Sequence, residues 1–244
     1  MQLSSGRLLV PMYRGHPSGG SVCFSDSHGE SWQASLLSPH LAGETVTETV
    51  VAEVAPGRLY MTIRNNLPTG VEGARQFSIS EDGGVSWSPR LNVEVPDPHC
   101  KGGVASVHRS ATPTPPFMLS DSQAEVAAGR GPGNGSLLAL STSANCASRA
   151  DITVFLSMSG GTPGSWVYRQ EVSSLGGYSS LAPTADGRLL VLFERGGCTL
   201  SAAVVDPRAV IAAGPQGVIP CAEAGCGTQP LPAHFDGKTG YCKK

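Results

Sequence analysis

The chain has three tryptophans, and all three occupy the same place in one repeated turn. Ser80-Glu81-Asp82-Gly83-Gly84-Val85-Ser86-Trp87 fits the pattern Ser-x-Asp-x-Gly-x-x-Trp in full. Ser25-Asp26-Ser27-His28-Gly29-Glu30-Ser31-Trp32 repeats it with Ser27 in the Asp place, and Ser157 to Trp166 is a looser copy with extra residues around Pro163. A short apolar run precedes each copy (Val22–Phe24, Gln76–Ile79, Ile152–Leu156), so each predicts a hairpin turn. Within such a turn Asp accepts backbone N–H bonds, Gly supplies positive φ, and Trp is expected to pack back underneath. A strand-and-turn unit recurring at intervals of several tens of residues predicts small sheets arranged one after another, as in a propeller.

The composition agrees. Gly (31) and Pro (19) are abundant in the 244 residues and charged residues make up only 15%, which favours tight turns over long exposed helices. Strand-length apolar runs occur at Arg7–Pro11, Ser21–Phe24, Arg58–Ile63, Gln76–Ile79, Ser136–Leu140, Ile152–Met158, Arg188–Phe193 and Leu200–Val205. No stretch before Asp206 keeps a helical period over several turns, and none approaches the roughly 20 apolar residues of a membrane span. The net charge of -2 gives no electrostatic support to nucleic-acid binding. Residues 111–135 have the composition of a long surface loop, and an irregular tail is expected from Asp206 to Lys244, leaving residues 1–205 as the β domain.

The repeat is the Asp-box, or bacterial neuraminidase repeat, and its copies resemble those of the exo-α-sialidases. Other segments extend the resemblance from about residue 7 to about residue 205. Thr47-Glu48-Thr49-Val50-Val51-Ala52-Glu53 leads through Pro56-Gly57 into Arg58–Ile63 and Arg64-Asn65, similar to the family segment that carries a catalytic Glu and a carboxylate-binding Arg. The family commonly has Ser-Gln or Cys-Gln after that Glu; Thr49-Val50 departs from it. Ser148-Arg149-Ala150-Asp151 resembles the site of another carboxylate-binding Arg, and Gly176-Gly177-Tyr178-Ser179 the turn of the family's tyrosine nucleophile. Glu194, at the end of the following strand, matches the carboxylate that steadies a further arginine.

The resemblance implies a six-bladed propeller, of which this chain would hold about four blades. It also implies retaining hydrolysis of terminal sialic acid from sialylated glycans, with no cofactor and no metal. Tyr178 would be the nucleophile, Glu48 its base, and Arg64 and Arg149 the substrate-binding pair. The chemistry requires these residue types. A sialoside carries its own carboxylate at the anomeric carbon, so a neutral phenol attacks without the repulsion a carboxylate nucleophile would meet. A phenol of pKa near 10 needs a base within reach. Arginine offers permanently charged, bidentate donors to the substrate carboxylate.

The remaining candidates are weaker. His28 and His99 read as surface groups, Glu53 as a structural partner, and Gly129–Gly135 lacks the Lys-Ser or Lys-Thr of a phosphate loop. The seven cysteines show no CxxC pair, and Cys221, Cys226 and Cys242 are the only ones close enough together to suggest a local disulfide. Neither Arg7 nor Arg14 fits the family's Arg-Ile-Pro strand, which bears its first arginine, and the family's acid/base aspartate has no match. The expectation is therefore that a missing N-terminal segment or a partner chain completes the ring. The alternative is a degenerate sialidase-like module that binds sialylated glycans without turnover.

Overall fold

The structure, a computed structural model, describes residues 1–15, 18–39, 46–65, 73–107, 137–145, 148–196, 199–217 and 219. The expected loop at 111–135, Cys146, Cys198 and most of the expected tail, with Cys221, Cys226 and Cys242, lie outside them. The described residues form four antiparallel sheets, each a meander in chain order. The first contains β1 (Leu8–Gly15), β2 (Ser18–Ser25) and β3 (Gln33–Ala34). The second contains β4 (Val46–Ala55), β5 (Arg58–Asn65), β6 (Gly73–Ser80) and β7 (Leu91–Asp97). The third contains β8 (Gly103–Val107), β9 (Leu137–Ser143), β10 (Ala150–Ser157) and β11 (Tyr168–Leu175). The fourth contains β12 (Ser179–Pro183), β13 (Leu189–Arg195) and β14 (Thr199–Val205). The all-β expectation holds.

Three apolar seams join the sheets in series. Leu9, Val22 and Phe24 of the first sheet meet Val51, Leu59, Met61 and Ile63 of the second. Tyr60, Phe77, Val93 and Val95 meet Leu138, Leu140 and Phe155 of the third, and Ile152, Val154 and Leu156 meet Leu189, Val191 and Phe193 of the fourth. The opening strands of successive sheets, β1, β4, β8 and β12, lie against one another. Residues near their ends therefore come from different sheets yet share one region.

The three repeated turns share one hydrogen-bond scheme. Ser25, Ser80 and Ser157 are buried, and each Oγ accepts the amide of the glycine four residues on, at 2.9, 2.8 and 2.8 Å. Trp87 fills the seam between the first and second sheets, donating to Ser35 Oγ at 3.2 Å. Trp166 fills the next seam, edge-on to Tyr60 at 5.9 Å. Trp32 departs from expectation, since it is 45% exposed. The two buried indoles each face the sheet preceding their own in the chain, and among the described residues no sheet precedes the first.

Arg7 ties the first two turns together. Its guanidinium grips Asp26 with two bonds of 2.7 and 2.8 Å, donates to Gly83 O at 2.9 Å and lies 4.3 Å above the Phe24 ring. Glu53 is structural in the same way, accepting from Ser4 N, Ser4 Oγ and Gly57 N. At the C-terminal end the expected irregular tail begins instead with a helix, α1 (Pro207–Ala212). Asp206 caps its N-terminus, Pro207 presets its first turn, and Val210 packs into the last seam.

Candidate active site

A bulge in β4 sets the first pair of site residues. Val46 pairs with Asn65 and Thr49 with Ile63, so Thr47 and Glu48 together face Arg64 alone. Such an extra residue re-aims a side chain, and bulges of this kind recur beside functional sites. Here Arg64 Nη1 donates to Glu48 Oε2 at 2.7 Å, with the two side chains 16% and 23% exposed.

Tyr178 enters from the fourth sheet. The two glycines before it are required by close approach: a Cβ on Gly176 would lie 2.9 Å from Arg149 O, and one on Gly177 would lie 2.7 Å from Glu194 Oε2. The chain threads between Arg149 and Glu194 and then delivers the phenol to the second sheet. Tyr178 Oη accepts from Arg64 Nη1 at 3.1 Å. Arg149, just ahead of β10, lies over the Tyr178 ring at 5.2 Å and donates to His99 O at 3.1 Å.

The structure thus brings Glu48, Arg64, Arg149 and Tyr178 to one place from three sheets. Glu194 is also there, but its carboxylate accepts the Tyr178 backbone amide at 3.0 Å rather than holding an arginine. Among the described residues no ion pair involves Glu194, and Arg7 is engaged by Asp26. A cleft of about 160 Å³ opens beside Tyr178 and Glu194, walled by Lys101, Ser179, Leu192 and Leu200.

Electrostatics follow from this packing. Burial pushes the Tyr178 phenol above its ordinary range, the Glu48 carboxylate pushes it further, and Arg64 and Arg149 offset only part of the rise. Arg64 loses solvation on burial, yet Glu48 and Tyr178 more than compensate, so its charge is held more firmly than usual. The phenol is accordingly neutral through the whole neutral range, beside a permanent cation and a carboxylate.

Sequence reasoning missed the layer beneath. Arg75 is 1% exposed and pairs with fully buried Asp97 at 3.2 Å. Cys100, one of the four cysteines outside the C-terminal cluster, is fully buried and donates to Gly177 O at 3.0 Å. The signal for Arg75 was present: it stands two and four residues before Phe77 and Ile79, on the alternation that faces the core.

Comparison with known proteins agrees with this architecture. A model of the BNR repeat-like domain matches residues 1–191. The anhydrosialidase of Macrobdella decora is 31% identical over 91 residues, which is 37% of this chain and 11% of that protein. Sialidase-4 of Homo sapiens is 34% identical over 107 residues, 38% of this chain and 21% of its own length. The chain thus spans under a third of either relative. Among solved structures, a Hadza microbial sialidase superposes with a TM-score of 0.63 at 23% identity, over 86% of this chain and 37% of its own, a likeness of fold. With the domain match running from Met1 into β13 and sialidases as its relatives, the chain belongs to the BNR repeat-like family of sialidase-type proteins.

Proposed function

We propose that this chain carries the nucleophile half of a retaining exo-α-sialidase site. One observation carries the reading: a single guanidinium nitrogen, Arg64 Nη1, reaches both Glu48 Oε2 and Tyr178 Oη, residues from different sheets that family resemblance alone had paired. In the proposed reaction Glu48 takes the phenol proton as Tyr178 Oη bonds to the anomeric carbon, the glycosidic C–O bond breaks, and the departing aglycone oxygen takes a proton from solvent. Water then attacks the anomeric carbon and breaks its bond to Tyr178 Oη, the phenolate recovers the proton held by Glu48, and the water's surplus proton passes to solvent. Arg64 and Arg149 hold the sialic acid carboxylate with charge-assisted bonds, and Glu194 fixes the backbone of Tyr178. We also read the four sheets as four blades of a six-bladed ring. Support comes from the adjacency of β1, β4, β8 and β12 and from indoles placed between consecutive sheets.

The test is release of a fluorogenic aglycone from an α-sialoside by the wild type and by Tyr178→Phe. Release by the wild type and its loss in the variant support hydrolysis; equal release by both refutes the tyrosine mechanism. A second reading, glycan binding without turnover, is favoured by one observation. Arg7, the arginine just before β1, is committed to Asp26 and Gly83, so the described residues bring two arginines to Tyr178 rather than three. Saturation-transfer NMR with sialyllactose distinguishes the readings, since Arg64-dependent binding with no hydrolysis selects the second.

A further inference from the structure

The residues that surround Tyr178 are not held by the fourth sheet alone. Cys100 Sγ and Ser143 Oγ both donate to Gly177 O, at 3.0 and 3.2 Å, and Ser179 N donates to Lys101 O at 3.1 Å. Arg149, the cation over the Tyr178 ring, donates to His99 O. Both neighbours of the phenol and the nearest arginine are thereby tied to one short segment, residues 97–103, between β7 and β8. His99 in that segment has φ +53°, a left-handed conformation uncommon outside glycine.

That segment rests on a buried ion pair. Asp97 Oδ1 accepts Cys100 N at 2.9 Å and closes the turn, while Asp97 Oδ2 receives Arg75 Nη1. Arg75 further donates to Cys100 O at 3.0 Å, to Thr142 Oγ1 at 3.3 Å and, through Nε, to Thr62 Oγ1 at 2.7 Å. A Cβ on Gly102 would come within 2.9 Å of the Arg75 guanidinium carbon and would also strike Ser141 O, so the backbone lies directly on that plane. A Cβ on Gly103 would meet Leu181 N at 2.6 Å on the other side. A buried arginine is costly to place, and an apolar pair of equal volume would often hold a core as well. Its planar fork does what apolar groups cannot, binding a carboxylate, a backbone carbonyl and two hydroxyls from three strands and the adjoining turn at fixed angles.

We propose that Arg75, with Asp97, is a positioning residue: the pair sets the 97–103 segment, and the segment sets the phenol of Tyr178 and the guanidinium of Arg149 relative to each other. The assignment of a purpose to that placement rests on Tyr178 being the reacting group. The linkage itself does not, and the test is chosen accordingly.

The chain is labelled with [13Cζ]-tyrosine, and the Tyr178 resonance is assigned by its loss in Tyr178→Phe. Arg75→Lys keeps the charge and removes the fork; Asp97→Asn keeps the shape and removes the charge. Both are expected to move the Tyr178 resonance and its titration midpoint. Arg58→Gln, which removes an exposed ion pair with Glu81 in the same sheet, is expected to leave them unmoved. Should the buried variants fail to fold, Cys100→Ala keeps the ion pair and deletes the thiol's bonds to Gly177 O and Ser143 Oγ; it is expected to move the resonance, and Cys100→Ser to restore it. Folded Arg75→Lys and Asp97→Asn with an unmoved resonance overturn the proposal, as does an unmoved resonance in Cys100→Ala when the other two are unfolded. Because no sialoside is present, a protein that neither binds nor cleaves sialosides refutes the functional reading and leaves this one standing.

Discussion

The first and second repeated turns have the same hydrogen-bond skeleton and opposite fates for their tryptophans. In the second, Asp82 Oδ1 takes the amides of Val85 and Ser86 at 3.0 and 2.9 Å, and Oδ2 takes the Ser86 hydroxyl at 2.5 Å. In the first, the Ser27 hydroxyl replaces that carboxylate with one oxygen, accepting Ser31 N at 2.9 Å and meeting Ser31 Oγ at 2.8 Å. Yet Trp87 is 6% exposed and Trp32 is 45% exposed. The turn motif therefore specifies the hairpin, and the neighbouring sheet decides whether the indole is buried.

The largest test of that division is truncation of the buried indoles. Trp166→Ala removes a fully buried ring from the seam between the second and third sheets and is expected to cost about 3–5 kcal/mol. Trp87→Ala should fall in the same range, since the indole is 6% exposed and its N–H also loses Ser35 Oγ. Urea unfolding of both variants measures the costs. Values near 1 kcal/mol would mean that the seams are looser than their burial implies.

The turns themselves come next. Asp82→Ala strips one carboxylate from two amides and two hydroxyls and is expected to cost about 1–2 kcal/mol. The cost has a pH signature. Burial raises the Asp82 pKa, but bonds from Ser86, Ser80 and Val85 outweigh it, and the folded value lies below the ordinary 3.8. A depressed folded pKa contributes stability that is present above 3.8 and lost as pH falls through the folded value. The difference between wild type and Asp82→Asn should therefore shrink as the solution is acidified below pH 4. Ser27→Asp offers the converse, a gain of about 0.5 kcal/mol at neutral pH by giving the first turn the second oxygen it lacks. Equilibrium unfolding at matched pH reads both; a pH-independent gap for Asp82→Asn would show that the hydrogen bonds, not the charge, carry the effect.

How far the sequence revealed these features depends on side-chain chemistry. The turns were legible because Ser, Asp, Gly and Trp each have a distinct local duty, and β5, β6, β10 and β13 because their apolar residues are large. Other strands hid for physical reasons. The five residues of β8, Gly-Val-Ala-Ser-Val, are all buried but mostly small, and β11, Tyr-Arg-Gln-Glu-Val-Ser-Ser-Leu, lies at a sheet edge with no buried face to impose alternation. Family resemblance drew Glu48, Arg64, Arg149 and Tyr178 together across the chain. The bulge that turns Glu48 toward Arg64 is a matter of pairing register, and the Arg75–Asp97 pair is made by partners whose contact only the assembled sheets create.

The smallest expected effect is at Trp32. Its indole keeps one local bond, Nε1 to Gly29 O at 3.1 Å, and is otherwise nearly half exposed, so little apolar contact is lost on truncation. Trp32→Ala should change the unfolding free energy by no more than about 0.5 kcal/mol, the usual scale of a surface substitution. Fluorescence quenching gives an independent measure on the intact protein. Acrylamide should quench a fraction of the emission that disappears in Trp32→Ala, and leave Trp87 and Trp166 largely protected. A loss of 3 kcal/mol or more, or a Trp32 shielded from acrylamide, would place another surface over the first sheet in solution and make all three turns alike.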